Sequence, residues 1–190
     1  DCYANYNFEI IIPSSKESLG DSDTKDNSDP TDCESVWMDS NLIIDHPEYG
    51  KVSFDSSPKL PIAPTYNPWA LRNFADKPPT SGGNSFKMCN IASAQTYTFS
   101  QPIRNPLLAV YSLGNPNLSV TIKTSTKVID YSGGAKSADH STIVVDTDFS
   151  FKGPEAFGVL QFPGEHTSIT LTPNTAECYY SLVWGLQYCP

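Results

Sequence analysis

From Ala94 onward the chain is a train of short apolar segments cut apart by turn signals. The segments are 94–100, 106–113, 118–123, 127–131, 142–151, 157–162, 167–171 and 178–188. Gly114-Asn115-Pro116, Ser132-Gly133-Gly134, Gly153-Pro154, Pro163-Gly164 and Pro173-Asn174 separate them. Such lengths suit strands. In the last segment Tyr180, Leu182, Trp184, Leu186 and Tyr188 share one face. In 167–171 the inward pair is Ile169 and Leu171. Many short strands at this spacing predict an all-β chain: an Ig-like or jelly-roll-like antiparallel β-sandwich.

The stretch before Ala94 is less regular. Residues 36–38 and 41–45 are apolar, and 51–54 alternates. The following SSPKLPIAPTYNP (56–68) holds too many prolines for a central strand and reads as a covering segment. Asn67-Pro68-Trp69 has the form of a helix start, so one short helix is expected through Asp76. Pro78-Pro79-Thr80-Ser81-Gly82-Gly83 is a loop.

The N-terminus is organised differently. Residues 3–12, YANYNFEIII, alternate as a strand that places Tyr6, Phe8, Ile10 and Ile12 on one face, and Pro13 ends it. Residues 14–32 then carry Glu17, Asp21, Asp23, Asp26, Asp29 and Asp32, with Leu19 the one aliphatic residue larger than Ala. That stretch buries too little to offset its ordering entropy, so it reads as a flexible acidic linker. The expected layout is an arm (1–13), a linker (14–32) and a sandwich (33–190).

Charge narrows the function classes. The 190 residues carry 12 Lys+Arg against 21 Asp+Glu, a net charge of −9, and the arginines are Arg72 and Arg104. No basic patch exists to neutralise phosphates, so neither a nucleic acid nor an anionic membrane surface is an expected partner. No apolar run reaches the ~18 residues of a membrane span.

Five cysteines, Cys2, Cys33, Cys89, Cys178 and Cys189, lie far apart with no CxxC pair. The chain starts at Asp1, which fits a removed leader and a secreted, disulfide-bonded protein. Two bridges and one leftover thiol can be drawn in fifteen ways. Cys178 and Cys189 end one predicted strand, roughly 36 Å apart when extended. A disulfide needs Cα atoms within about 7 Å, so each is expected to pair elsewhere. The odd cysteine is either a buried free thiol or a bridge between chains, and Cys2 on the arm suits the second role.

No catalytic motif appears. His46, His140 and His166 fall in separate predicted turns, and no GxSxG elbow is present. The acidic linker lacks the register of a calcium-binding EF-hand and reads as a solvated charge run. No metal or other cofactor is expected. Trp37, Trp69, Tyr179 and Trp184 could stack on sugars, but aromatics on strands more often belong to the core. Asn117-Leu118-Ser119 is the one N-glycosylation sequon, placed just after a predicted turn.

The arm carries the functional reading. A strand with four large apolar residues on one face must join a sheet, because both its backbone and its apolar stripe need partners. The home sheet and a neighbour's sheet are both within reach of a 19-residue linker. Strands that fold back onto their own sheet usually use connections of about 4–6 residues, which tilts the expectation toward another copy. A repeated head-to-tail exchange of this kind builds an open fibre.

Two resemblances bear on this. TYTFSQPIRNPLLAVYSLGNP (96–116), AFGVLQFPG (156–164) and the closing aromatic strand resemble secreted bacterial Ig-like β-sandwich domains of unknown function. The arm and linker ahead of a sandwich that would accept a strand resemble subunits of extracellular fibrils and pili assembled by donor-strand exchange, including the glycofibril type of environmental microbes. The chain lacks the C-terminal pattern of chaperone–usher pilins. The resemblance implies a non-enzymatic structural subunit of an extracellular homopolymeric helical fibril, with glycans attached in the glycofibril case. The partner is then the chain itself, and Tyr6, Phe8, Ile10 and Ile12 would insert into a groove of another protomer. The alternative is a carbohydrate-binding or adhesive module of a surface protein.

Overall fold

A computed structural model describes residues 33–64, 84–89, 91–131 and 141–189. The arm, the linker, the expected 67–76 helix and His140 lie outside the described residues. The described residues form fifteen strands and no helix. In chain order these are β1 (Glu34–Trp37), β2 (Ile43–His46), β3 (Gly50–Ser57), β4 (Ile62–Pro64) and β5 (Asn84–Cys89). Then come β6 (Gln95–Arg104), β7 (Leu107–Leu113), β8 (Val120–Thr124), β9 (Ile129–Asp130) and β10 (Ser141–Thr142). The last five are β11 (Val144–Thr147), β12 (Ser150–Gly153), β13 (Ala156–Gln161), β14 (Glu165–Pro173) and β15 (Cys178–Tyr188).

The strands form two sheets packed as a sandwich. One has eight strands in the order β10-β13-β7-β15-β5-β4, with β1 also on β15 and β9 also on β13. The other has seven, β11-β12-β8-β14-β6-β3-β2. Pairing is antiparallel except between β10 and β13, where Ser141 and Thr142 run parallel to Ala156 and Phe157. The all-β sandwich read from the sequence is the observed fold.

Trp184 is the centre of the shared core. It is fully buried on β15. Tyr97 and Phe99 of β6 reach it from the facing sheet with ring centroids at 5.3 and 5.4 Å, and Phe162 lies at 5.6 Å. Phe54 of β3 stacks on it at 6.4 Å. Burial of each such side chain stabilises the fold by about 1.5–3 kcal/mol. The core reading of Trp184 and Trp37 holds, as both are buried; Trp69 lies outside the described residues.

Three readings of individual strands change. Segment 142–151 is three strands, not one. The chain turns back at Asp148-Phe149, where Thr147 Oγ1 accepts from the Phe149 N–H at 3.2 Å and pairs with Ser150 Oγ at 2.7 Å. Hydroxyl side chains make this turn, and neither Gly nor Pro marks it. Strand β5 is an addition: Phe86 and Met88 alternate inward on a segment otherwise polar enough to pass for loop. Within the proline-rich segment, Ile62–Pro64 pairs β5 as the last strand of its sheet, the position where proline is tolerated.

Candidate functional site

Four of the five cysteines pair. Cys33 bonds Cys189, and Cys89 bonds Cys178. Cys178 and Cys189 thus pair elsewhere, as the extended strand between them requires. Cys2 is the odd cysteine of the five and, like Tyr6, Phe8, Ile10 and Ile12, lies outside the described residues. Both bridges attach a short strand to β15: β5 along residues 178–182 and β1 along 185–188. Strands of six and four residues bring few ladder bonds, so the covalent ties hold what hydrogen bonding alone would hold weakly. Two such disulfides fit an oxidising, extracellular type of environment.

Asn117 sits at the tip of the β7–β8 connection. Asn115 and Leu118 exchange backbone hydrogen bonds there at 3.0 and 2.9 Å, and the Asn117 N–H donates to Asn115 Oδ1 at 3.0 Å. Asn117 and Ser119 are both exposed, so the sequon is open to modification.

The body closes its own core. The inward residues of the central strands are buried, and no core position of a described strand faces solvent. The exposed large apolar residues among those described are Ile62 at 49%, Val144 at 53% and Phe149 at 54%. All three belong to sheet edges: Ile62 to β4, Val144 to β11, and Phe149 to the turn joining β11 to β12. Open edges carry unpaired backbone groups and are templates for an added strand. Pro61 and Pro64 blunt β4. Strand β2 ends at Pro47 and packs toward β1 and β15. Strand β11, Val144-Val145-Asp146-Thr147, has no proline.

An open cleft of about 230 Å³ lies at the end of the sandwich where Cys33 joins Cys189. Glu48, Tyr49, Arg104, Asn105, Gln187 and Cys189 line it. His46 braces its wall. The ring is buried at the end of β2, its Nδ1 accepts the Glu48 and Tyr49 N–H groups at 3.2 and 3.3 Å, and it packs 5.0 Å from the Tyr49 ring. Gln101 Nε2 donates to the Tyr49 carbonyl at 2.8 Å. The turn expected at His46 thus begins one residue later, at Pro47: His46 is the last residue of β2, and its ring caps the turn's N–H groups. His166, expected in a turn, lies in β14, where it pairs with Ile103; its ring bonds locally, with Nε2 3.1 Å from the Pro163 carbonyl.

A second polar group, invisible in the sequence, lies at the opposite end of β7. A bulge between Ala156/Gly158 and Leu113/Val110 leaves β7 with an extra residue. Ser112 takes φ 58° there, and Glu155, in the β12–β13 turn, takes φ 51°. Such left-handed values are strained for residues other than Gly, and bulges re-aim side chains. Here they bring the Ser112 hydroxyl onto Glu155 Oε1, to which it donates. Glu177, just before β15, is nine-tenths buried, and its Oε2 has no partner among the described residues. Burial foremost, then the Glu155 carboxylate, push Glu177 up to about 7, against a hydrogen bond from the Gly114 backbone. The Tyr180 hydroxyl is buried and also unpartnered; burial and then Glu177 raise its pKa well above the usual value. Gly114 has φ 79°, and a Cβ there would run into the Gly153 and Leu118 carbonyls, so the turn admits only Gly. No motif spacing links Ser112 and Glu155, because a bulge and a turn bring them together.

Comparison with protein-family models, with curated proteins and with solved structures finds no match to this chain.

Proposed function

We propose that this chain is a structural subunit of a secreted homopolymeric fibril, in which residues 3–13 of one copy add as a strand to the next. The observation that carries this reading is β11: proline-free, the last strand of its sheet among the described residues, and flanked by exposed Val144 and Phe149. An apolar strand needs both a backbone ladder and an apolar surface, and that edge offers both. Since the described strands already cover the core, the arm in this proposal extends an edge and does not fill an empty core groove. Tyr6, Phe8, Ile10 and Ile12 would lie against Val144 and Phe149 of the neighbour. Each join repeats head to tail, so the polymer is open-ended. Glycans at Asn117 would decorate its surface.

The test is negative-stain electron microscopy of the full chain beside a version without residues 1–13 and a Val144→Asp/Phe149→Asp variant. Filaments in the first sample and only monomers in the other two are expected. A monodisperse monomer in the full-length sample would overturn the proposal.

The cleft at the disulfide end favours a second reading, a glycan-binding or adhesive module. A braced tyrosine beside Arg, Asn, Gln and Glu side chains offers one stacking face and several hydrogen-bonding groups to a sugar ring. Glycan-array binding lost in Tyr49→Ala would support that reading; an array blank for the wild type would remove it.

A further inference from the structure

We infer that the cleft at the Cys33–Cys189 end binds an acidic sugar, a hexuronate residue whose carboxylate pairs with Arg104. The inference rests on the glycan-binding reading of that cleft, names the class of sugar it would take, and is independent of what the arm does.

Arg104 carries the argument. It is the one arginine among the described residues, it ends β6, and it is exposed at the cleft. Two acids belong to the same part of the fold: Glu165 is its cross-strand partner on β14, and Glu48 lines the same cleft. Yet the ion pairs among the described residues are Lys59–Asp55, Lys127–Asp148 and Lys152–Asp146, and Arg104 is in none of them. A guanidinium presents a planar fork of N–H donors that matches a carboxylate through two parallel hydrogen bonds. A neutral sugar would use that fork for single hydrogen bonds and leave the charge unpaired; a uronate uses both.

The other lining groups suit the rest of a sugar ring. Tyr49 is half-buried, its ring packs 5.0 Å from that of buried His46, and Gln101 holds its carbonyl, so its place is set before a ligand arrives. An aromatic ring held in this way offers stacking area at little entropic cost. At the β6–β7 corner Asn105 and Gly164 bond reciprocally. The Asn105 N–H donates to the Gly164 carbonyl, and Asn105 Oδ1 accepts the Gly164 N–H, both at 2.8 Å. The amide oxygen is thus engaged, and the NH2 group is what Asn105 has left to give a hydroxyl. Gln187 can donate and accept, and Glu48 accepts. A simple carboxylate would use Arg104 alone and leave these groups idle. At about 230 Å³ the cleft is smaller than a drug-sized pocket of about 300–1,000 Å³, so it holds one sugar residue and leaves its neighbours in the chain in water.

The experiment uses the full chain and ligand-observed saturation-transfer NMR, which works whether or not the chain polymerises. The probes are trimers of galacturonate, glucuronate and mannuronate, each beside its methyl ester, which keeps the sugar and removes the charge. At least one acidic trimer is expected to bind about tenfold more tightly than its ester, with the preference shrinking at high salt. Arg104→Gln should erase that preference while the ester still binds. Tyr49→Ala should weaken acid and ester alike. Lys123→Gln, which removes a positive charge from β8 outside the cleft, should change neither. The inference fails, with the glycan-binding reading intact, if acid and ester bind the wild type equally. It fails if Arg104→Gln, folded by circular dichroism, keeps the preference, which would place the carboxylate elsewhere. Displacement of the trimer by an equal concentration of acetate would overturn it too, leaving a site for any anion. It fails again if no trimer binds, and the glycan array then decides the broader reading: neutral glycans lost in Tyr49→Ala keep it, and a blank array removes it.

Discussion

Strands β3 and β6 of the seven-stranded sheet alternate between buried and exposed along most of their length. In the eight-stranded sheet the alternation is gone: β13 is buried from Ala156 to Leu160 and β15 from Leu182 to Gly185 and beyond. The seven-stranded sheet faces water on its outer side along β3 and β6, whereas the central strands of the other, β7, β13 and β15, are buried on both sides. The sequence of each follows from its surroundings, since a strand covered on both faces reads as a continuous apolar run. The glycines fit the same contrast. A Cβ on Gly185 would come within 2.5 Å of the Trp37 ring, and one on Gly158 within 3.2 Å of Ile143. Both contacts come from within the sheet: Trp37 on β1 is the cross-strand partner of Gly185, and Ile143, next to β10, bonds to Phe157 beside Gly158, so each glycine makes room for its neighbour's side chain. The two disulfides belong to that sheet as well. The lesson is that the outward face of the seven-stranded sheet, together with the edges, is where this body can meet a partner.

The sharpest way to break the contrast is to place a charge on the outer face of each sheet. Val183→Asp buries an unpaired carboxylate and is expected to destabilise by on the order of 5 kcal/mol, enough to unfold the domain. Ser168→Asp, exposed on β14, should change stability by no more than about 0.5 kcal/mol. Urea denaturation of the pair reads both, and equal effects would mean the sheets are covered alike. Next in size are the disulfides, at about 2–4 kcal/mol each when both cysteines become serine. Hydrogen exchange should then localise the damage, to Glu34–Trp37 for Cys33/Cys189 and to Asn84–Cys89 for Cys89/Cys178. The smallest effect is that of pH. Glu177 is raised from 4.5 to about 7 on folding, so the native state binds the extra proton. Its contribution is fully present below pH ~4.5 and is lost as pH rises through ~7. Glu177→Gln should flatten that decline and exceed the wild type in stability above pH 7, by chemical denaturation at several pH values.

The fold class was legible because alternation and turn residues are local signals. Ile169, Leu171 and the Tyr180 to Leu186 face could be assigned from period two alone, and their burial agrees. The hairpin at Asp148-Phe149 was not legible, since hydroxyl groups make it where Gly or Pro would have announced it. Strand β5 was hidden for a related reason: its two inward residues gain meaning only once β15 and Cys178 stand beside them. The candidate sites fared worse. Glu177 is one acid among many until burial singles it out, and Ser112 is one serine until a bulge turns it toward Glu155. The cleft gathers Tyr49, Arg104 and Gln187 from three strand ends distant in sequence. Residue spacing encodes strands, whereas these sites are encoded by register, which is a property of pairs of strands.

The Cys33–Cys189 bridge has a mechanical consequence. It ties together two points 156 residues apart in sequence, at the first and last described residues of the sandwich. A pull applied between a point before Cys33 and a point after Cys189 passes through the sulfur–sulfur bond and leaves the enclosed polypeptide slack. Tension along that line cannot peel strands from either sheet, because the fold lies outside the loaded path. In a tethered chain, such a domain would transmit force as a rigid bead until its disulfide was reduced, and only then begin to lengthen.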